Sequence, residues 1–286
     1  MDTAQFQLHA RLEERHWWFV GRRQIVGRLV REILPPDGQA AIADIGCGTA
    51  ANLAALAWDY DCTGVDISPE AIGLAKQRYP ALNLVAMPSR EATARLVGQA
   101  DLVMLLDVIE HVADDYLMLS QILADMSPGA HLLLTVPADE SLWSEHDVSF
   151  GHYRRYDAER LAALWADLSV ETRLLSPYNA RLLPVIRWVR ARGRRKGVAS
   201  GASGTDFWIP PAPLNGLLTW YFAGEQGRLV RLLHGERARP YRAGASLIAV
   251  LRRGPASIEA REKPAEAPAD HPQAPPAAEM LCAAGT

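Results

Sequence analysis

Ala43-Asp44-Ile45-Gly46-Cys47-Gly48-Thr49-Ala50 is the stretch on which the reading of this chain turns. The apolar run 40–45 has the length and composition of a buried strand, and it closes on an acid and two glycines. An Ala/Leu-rich helix is expected from about Ala51. Glycine reaches positive φ without strain and lets a ligand approach the backbone. A helix N-terminus there offers unpaired N–H groups. Strand, glycine turn and helix start together predict a nucleotide-cofactor site at one end of an α/β sheet.

Two cofactors fit that loop. Gly46-x-Gly48-x-x-Ala51 matches the dinucleotide pattern, and a second apolar run ends at Gly64-Val65-Asp66. Asp66 lies about 20 residues past Gly46, where an acid takes ribose hydroxyls in dinucleotide folds. That supports an NAD-dependent enzyme. Asp44 argues the other way, because an acid inside the strand end repels a pyrophosphate and suits a cationic ligand. S-adenosylmethionine carries a sulfonium and an ammonium, has a ribose and has no phosphate.

Here the chain resembles the class I S-adenosylmethionine-dependent methyltransferases. The resemblance is carried by Asp44-Ile45-Gly46-Cys47-Gly48, Gly64-Val65-Asp66-Ile67-Ser68, Leu106-Asp107-Val108-Ile109-Glu110-His111-Val112, and Pro128-Gly129-Ala130 before the apolar run 131–136. All four occur in the family's order and spacing, over about residues 40 to 137. The resemblance implies a doubly wound, Rossmann-like seven-stranded sheet whose last strand is antiparallel. It also implies that S-adenosyl-L-methionine is used and S-adenosyl-L-homocysteine released. Asp44, Gly46, Cys47 and Gly48 would meet the methionine part, Asp66 and Ile67 the ribose, and Asp107 and Val108 the far wall of the cofactor site. The family usually reads adenine with an acid or amide after strand three. This chain has Met87-Pro88-Ser89 instead, so Met87 is expected only to pack on the ring.

Composition bounds the rest. The 286 residues suffice for one elaborated domain with a large core. A net charge of −3 gives no general attraction to nucleic acid. The three cysteines, Cys47, Cys62 and Cys282, form no framework, which fits a reducing, cytoplasmic setting. No basic-then-apolar leader opens the chain, and no apolar run approaches the 18 or so residues of a membrane span.

Residues 3–34 read as one helix, stopped by Pro35-Pro36-Asp37-Gly38. His16-Trp17-Trp18-Phe19, with Arg22 and Arg23, is either an apolar face with solvated arginines or a flap over the cofactor. In the flap reading Trp18 excludes water at the substrate and Arg22 pairs with the methionine carboxylate. Strands are expected at 61–67, 82–87, 100–106 and 131–136, with a helix over 115–126. In similar O-methyltransferases of the ubiquinone pathway the Glu110-His111-Val112 segment borders cofactor and substrate; capping of the loop is the plainer role for His111.

Trp143-Ser144-Glu145-His146-Asp147 and Gly151-His152-Tyr153-Arg154-Arg155-Tyr156 form the second informative stretch. It resembles a motif of a bacterial methyltransferase subgroup associated with cell-surface polysaccharide and natural-product pathways. A near-neutral imidazole suits removal of an acceptor's proton. His146 and His152 are the candidate bases, oriented by Glu145 or Asp147. Arg154 and Arg155 are candidates for an acidic group of the substrate, with Tyr156 beside them. The competing reading is a polar network that fixes the loop. No metal is expected, since the spacing between residues 145 and 152 matches no standard site.

Strand six is expected at 170–175 and strand seven at 245–252. Between them lies a helical lid, 177–244, with a basic Gly-rich link from Arg190 to Gly204. The segment 182–196, with Trp188, is a candidate for peripheral membrane contact. The expected division is a helical flap (1–36), a cofactor-binding core (37–176 and 245–253), the lid, and a disordered Pro/Ala/Glu-rich tail (254–286). The expected activity is O-methylation of a small-molecule, sugar or lipid-linked acceptor. An NAD-dependent enzyme and a non-catalytic S-adenosylmethionine-binding protein are the alternatives.

Overall fold

The computed structural model describes residues 3–196, 208–272 and 274. The N-terminal helical stretch is two helices, α1 (Thr3–Arg15) and α2 (Trp17–Ile33). His16 breaks them because its backbone is extended and its ring accepts the Trp18 N–H, capping α2. α2 buries Ile25, Val26, Leu29 and Val30, one stripe of a 3.6-residue period.

The sheet then alternates with helices. β1 (Ala41–Ile45) and the short α3 (Ala51–Ala54) lead to β2 (Asp61–Asp66) and α4 (Pro69–Arg78). β3 (Asn83–Ala86), α5 (Arg90–Gln99), β4 (Leu102–Leu106), α6 (Asp115–Asp125) and β5 (His131–Pro137) follow, with a turn of 3-10 helix at Ile109–His111. Past β5 come a second 3-10 turn (Glu140–Leu142), α7 (Glu145–Phe150), α8 (Ala158–Ala163), β6 (Val170–Tyr178), α9 (Leu183–Lys196), α10 (Ala212–Ala223), α11 (Gln226–Leu233) and β7 (Ser246–Arg253).

The strand order is β3-β2-β1-β4-β5-β7-β6. The first five are parallel, and β7 runs antiparallel between β5 and β6. This is the seven-stranded, doubly wound sheet that the sequence leads one to expect. Alternate strand residues feed two cores. Ala43, Val103 and Leu132 pack with α6 on one face, and Ile42, Met104 and Ile248 pack with α2 on the other. Burying each large aliphatic side chain contributes about 1.5–3 kcal/mol. β1 and β4 adjoin while their connections lie on opposite faces, so a crevice opens at their C-terminal ends.

Helices α2 and α10 pack on each other. Gly21 of α2 lies against Phe222 of α10, where a Cβ would come within 2.6 Å of the ring. Asn215 of α10 accepts from the Trp17 N–H and donates to the Arg15 carbonyl, at 3.0 and 2.7 Å. The basic segment starting at Arg190 is the end of α9 rather than a link; 197–207 lie outside the described residues.

The expectation of a disordered tail does not hold for residues 254–272. Arg261 N donates to Ser120 Oγ at 2.8 Å, Lys263 N to Asp114 Oδ2 at 3.1 Å, and His271 N to the Tyr153 carbonyl at 2.9 Å. Asp270 meets Arg154 Nε at 2.6 Å and Lys263 Nζ at 3.1 Å. Composition suggested disorder because apolar residues are few; charged anchors hold the segment instead. That expectation also covers residues 273 and 275–286, which lie outside the described residues. Asp270→Ala is expected to lower stability by about 1–2 kcal/mol, a melting shift of a few degrees in calorimetry. The loss stays below that of a fully broken buried pair because Arg154 keeps Asp115 at 3.1 Å.

Candidate functional site

A cavity of about 900 Å³ opens at the C-terminal ends of β1, β2 and β4, between α2 and helices α9 and α10. The turn after β1 forms its floor. Gly46 and Gly48 have φ of 77° and 55°. Gly46 N and Cys47 N donate to the Val65 carbonyl at 2.8 and 3.0 Å, tying the loop to β2. A Cβ on Gly46 would sit 2.7 Å from Val108 Cγ2, whereas one on Gly48 would meet no atom within 4 Å. Gly48 therefore presents bare backbone to the cavity it lines. Cys47 lines it too, and burial pushes its thiol up.

Asp44 is 2% exposed, lines the cavity, and its Oδ1 has no hydrogen-bond partner. Burial pushes its carboxyl up to about 7, against the nearby charge of Arg22. Asp66 accepts from Gly48 N at 2.8 Å and from Ser68 N at 2.9 Å. Burial raises its pKa, and those two bonds oppose the rise. Each oxygen keeps a lone pair for a further donor. Ile67 lines the same wall.

Asp107 ends β4 with φ of 58°, a left-handed turn that aspartate tolerates better than most residues. Its carboxylate takes Arg22 at 3.0 Å and the Thr135 hydroxyl at 3.1 Å. Burial works against the Arg22 charge, but Asp107 and other acids outweigh it and raise the pKa. The Arg22 guanidinium lies 5.1 Å from the Trp18 ring centre, and its Nε is buried with no hydrogen-bond partner. Trp18, Arg22, Asp107 and Val108 all line the cavity, so the aromatic start of α2 forms one side of it.

At the far end Asp147 organises the loop that carries α7. Its carboxylate is fully buried, with His152 Nδ1 at 3.0 Å, Arg155 at 2.8 Å and Arg190 at 3.8 Å. Burial pushes its pKa up, but the His152 bond and the Arg155 charge outweigh that and hold it well below the carboxylate range. His146 is kept neutral by burial, and its ring lies 4.5 Å from that of Phe150. The His111 and His152 rings meet edge to face at 4.6 Å. His111, His146, His152 and Arg155 line the cavity.

Three sequence-derived assignments need correction. Met87 is 67% exposed and does not line the cavity, because its left-handed backbone (φ 47°) turns the side chain to solvent. Pro88 and Thr93 stand at that wall instead. Arg154 and Tyr156 do not line it either. Arg154 donates to the carbonyls of Val112 and Ala113, each at 2.7 Å, besides its pairs with Asp115 and Asp270. The Tyr156 hydroxyl donates to Asp115 at 2.7 Å. Both belong to a structural network. Residues that sequence reasoning missed include Glu13, whose carboxylate accepts from Thr49 of the glycine loop and pairs with Arg78. Sequence puts Glu110 beside the site and gives it no role; it is fully buried and lines the cavity.

Comparison with known proteins adds the following. Residues 19–191 match the model of a methyltransferase domain family. The chain is 25% identical over 192 residues to ajmaline N-methyltransferase of Rauvolfia serpentina, covering 59% of this chain and 65% of that protein. It is 29% identical over 126 residues to the O-methyltransferase cnsE of Penicillium expansum, covering 39% and 44%. The matches thus span less than two thirds of either relative. The [4+2]-cyclase SpnF superimposes with a TM-score of 0.51 at 15% identity, over 82% of this chain and 81% of that one. The plantazolicin methyltransferase BamL, solved with S-adenosylhomocysteine, does so at 0.51 and 13%, over 87% and 90%. These two share the fold and differ in the reaction their names describe, so fold similarity does not fix the chemistry.

Proposed function

The chain belongs to the methyltransferase domain family, and we propose that it moves a methyl group from S-adenosylmethionine to an oxygen of a small-molecule, sugar or lipid-linked acceptor. One observation carries the choice of cofactor. Asp44 brings a buried carboxylate with an unpartnered oxygen to the glycine turn, where a cation is favoured and a pyrophosphate is not.

The residues fit the group. Gly46 and Gly48 let the methionine part reach the backbone, Asp44 offsets its charge, and Arg22 offers Nε–H to its carboxylate. Asp66, braced by two backbone donors, takes the ribose hydroxyls. When bound, S-adenosylmethionine supplies an electrophilic methyl on a good leaving group. What the chain adds is alignment, dryness and a proton acceptor. Trp18 and Phe19 exclude water, and holding two reactants in line is worth several kcal/mol. His146, kept neutral by burial, and His152, oriented by Asp147 through Nδ1, take the acceptor's proton.

The lid supports an apolar or lipid-linked acceptor. Leu182, Val185, Leu214 and Leu218 line the cavity, while Trp188, Leu217 and Trp220 are exposed on the same helices. Peripheral contact of the 182–196 segment with an anionic membrane belongs to this reading. Among the described residues no helix is long and apolar enough to cross a membrane.

Calorimetric titration with S-adenosylmethionine, S-adenosylhomocysteine and NAD tests the proposal. Micromolar binding of the two sulfur nucleotides is expected, weakened on the order of 100-fold in Asp66→Ala as two charge-assisted bonds go. Binding of NAD alone would overturn it. Turnover on no acceptor, with cofactor binding intact in wild type and in His146→Ala, would identify a binding protein instead.

A further inference from the structure

Glu110 is the least explained residue of the cavity. Its side chain is fully buried and both carboxylate oxygens lack a hydrogen-bond partner. A buried polar group without a partner costs about 1–3 kcal/mol or more, and a charged one costs further. Alignment of a methyl donor gives such a residue nothing to do.

Its neighbours supply a context. Glu110, His111 and His152 each offer a donor atom, and the three atoms lie within 4.8 Å of one another. A central ion would then stand at most about 2.8 Å from each donor, and bond lengths of about 2.0–2.2 Å are reached by small side-chain rotations. The backbone holds the two segments in register. The 3-10 turn after β4 sets Glu110 beside His111, and Tyr153 N donates to the Glu110 carbonyl at 2.8 Å, next to His152.

His152 is also held as metal ligands are held. A ligating histidine generally gives its other ring nitrogen to a carboxylate or a backbone carbonyl. His152 Nδ1 lies 3.0 Å from Asp147 Oδ1, which leaves Nε2 as the ligand atom. The His111 ring packs edge to face on that of His152, with centroids 4.6 Å apart. Asp147 is in turn fixed by Arg155.

We propose that Glu110, His111 and His152 bind a divalent first-row cation whose open positions take the acceptor's oxygen. Two imidazoles and one carboxylate suit manganese, iron, cobalt or zinc better than magnesium or calcium. Three protein ligands leave positions open, the arrangement of a working rather than a structural site. The cation lowers the pKa of a bound hydroxyl. The hydroxyl then gives its proton to His146 and keeps the electron pair on oxygen. This divides the histidine pair, with His152 as ligand and His146 as base. The role in methyl transfer rests on the function proposed above; the metal site itself does not.

The test is titration of the chelator-stripped full chain with Co²⁺, followed by visible absorption. One ion per chain is expected, with affinity at least 100-fold weaker in Glu110→Gln and in His111→Asn, and within about threefold of wild type in His146→Asn. Binding of S-adenosylhomocysteine is measured on every variant, as a check on folding and on the cofactor reading. Cobalt binding without the nucleotide would sink the methyltransferase reading and leave the metal site standing. Nucleotide binding with no cobalt spectrum, or with the same spectrum in the double variant Glu110→Gln/His111→Asn, would overturn the metal site and leave Glu110 a buried neutral acid.

Discussion

Gly46→Ala is expected to destabilise the protein by about 2–5 kcal/mol and to abolish cofactor binding. Two costs add at this position. The backbone sits at φ 77°, which an L side chain adopts at about 1–2 kcal/mol. The new methyl would also stand 2.7 Å from Val108, a branched side chain packed in the core, and overpacking costs about 1–3 kcal/mol more. Val108 follows Asp107, so relief of the clash moves the β4 turn that carries Asp107. Gly48→Ala is the matched comparison. It bears the left-handed strain at φ 55° but meets no atom, so its methyl enters the cavity. Gly48→Ala should therefore melt closer to wild type yet lose most of its affinity for S-adenosylhomocysteine. Calorimetry paired with nucleotide titration separates the two. Equal melting temperatures for the two variants would show that the contact with Val108 is relieved at no cost.

Asp147→Ala is the second large effect, at about 3–5 kcal/mol, the range for breaking a buried ion pair. The carboxylate is fully buried, and removing it leaves Arg155, itself 4% exposed in its side chain, without its counter-charge. His152 loses the partner that orients it, so turnover falls along with stability. The effect depends on pH with a definite sign. The folded pKa of Asp147 lies below the unfolded one, so its contribution is fully present above the ordinary carboxylate value of about 3.9. It is lost as pH falls through the folded value. Stabilities of wild type and variant, from urea unfolding with unchanged slope, should differ fully at pH 7 and converge below pH 4. A gap that stays constant down to pH 3 would mean that packing around residue 147 matters and its charge does not.

The parts of the site legible in the sequence are those written locally. β1, its glycine turn and Asp66 follow from apolar runs that end in residues of special backbone freedom, and the sheet order places their ends together. Relations across distant segments were illegible. Glu13 reaches Thr49 only because α1 folds over the loop, and no spacing announces that. Glu110 and His152 meet because α7 ends at Gly151 (φ 73°) and returns the chain to the β4 turn. Met87 was misplaced because a left-handed residue cannot be foreseen from a short apolar run. Arg154 looked like a substrate group because its partner Asp270 lies in a segment that composition marks as unstructured.

The position of β7 governs how this protein comes to be made. Among the described residues β6 pairs only with β7, and β7 is also the partner of β5, so β6 joins the sheet through a strand that follows α9–α11 in sequence. At about 5–20 residues per second a ribosome needs several seconds to add the residues between Tyr178 and Ser246. During that interval the finished half of the sheet ends at β5 with an open, apolar edge, an invitation to pair with another chain. The nascent protein's exposure to aggregation is thus written into its strand order, and a chaperone's window of service closes when residue 253 has emerged and the last two strands can zip in together.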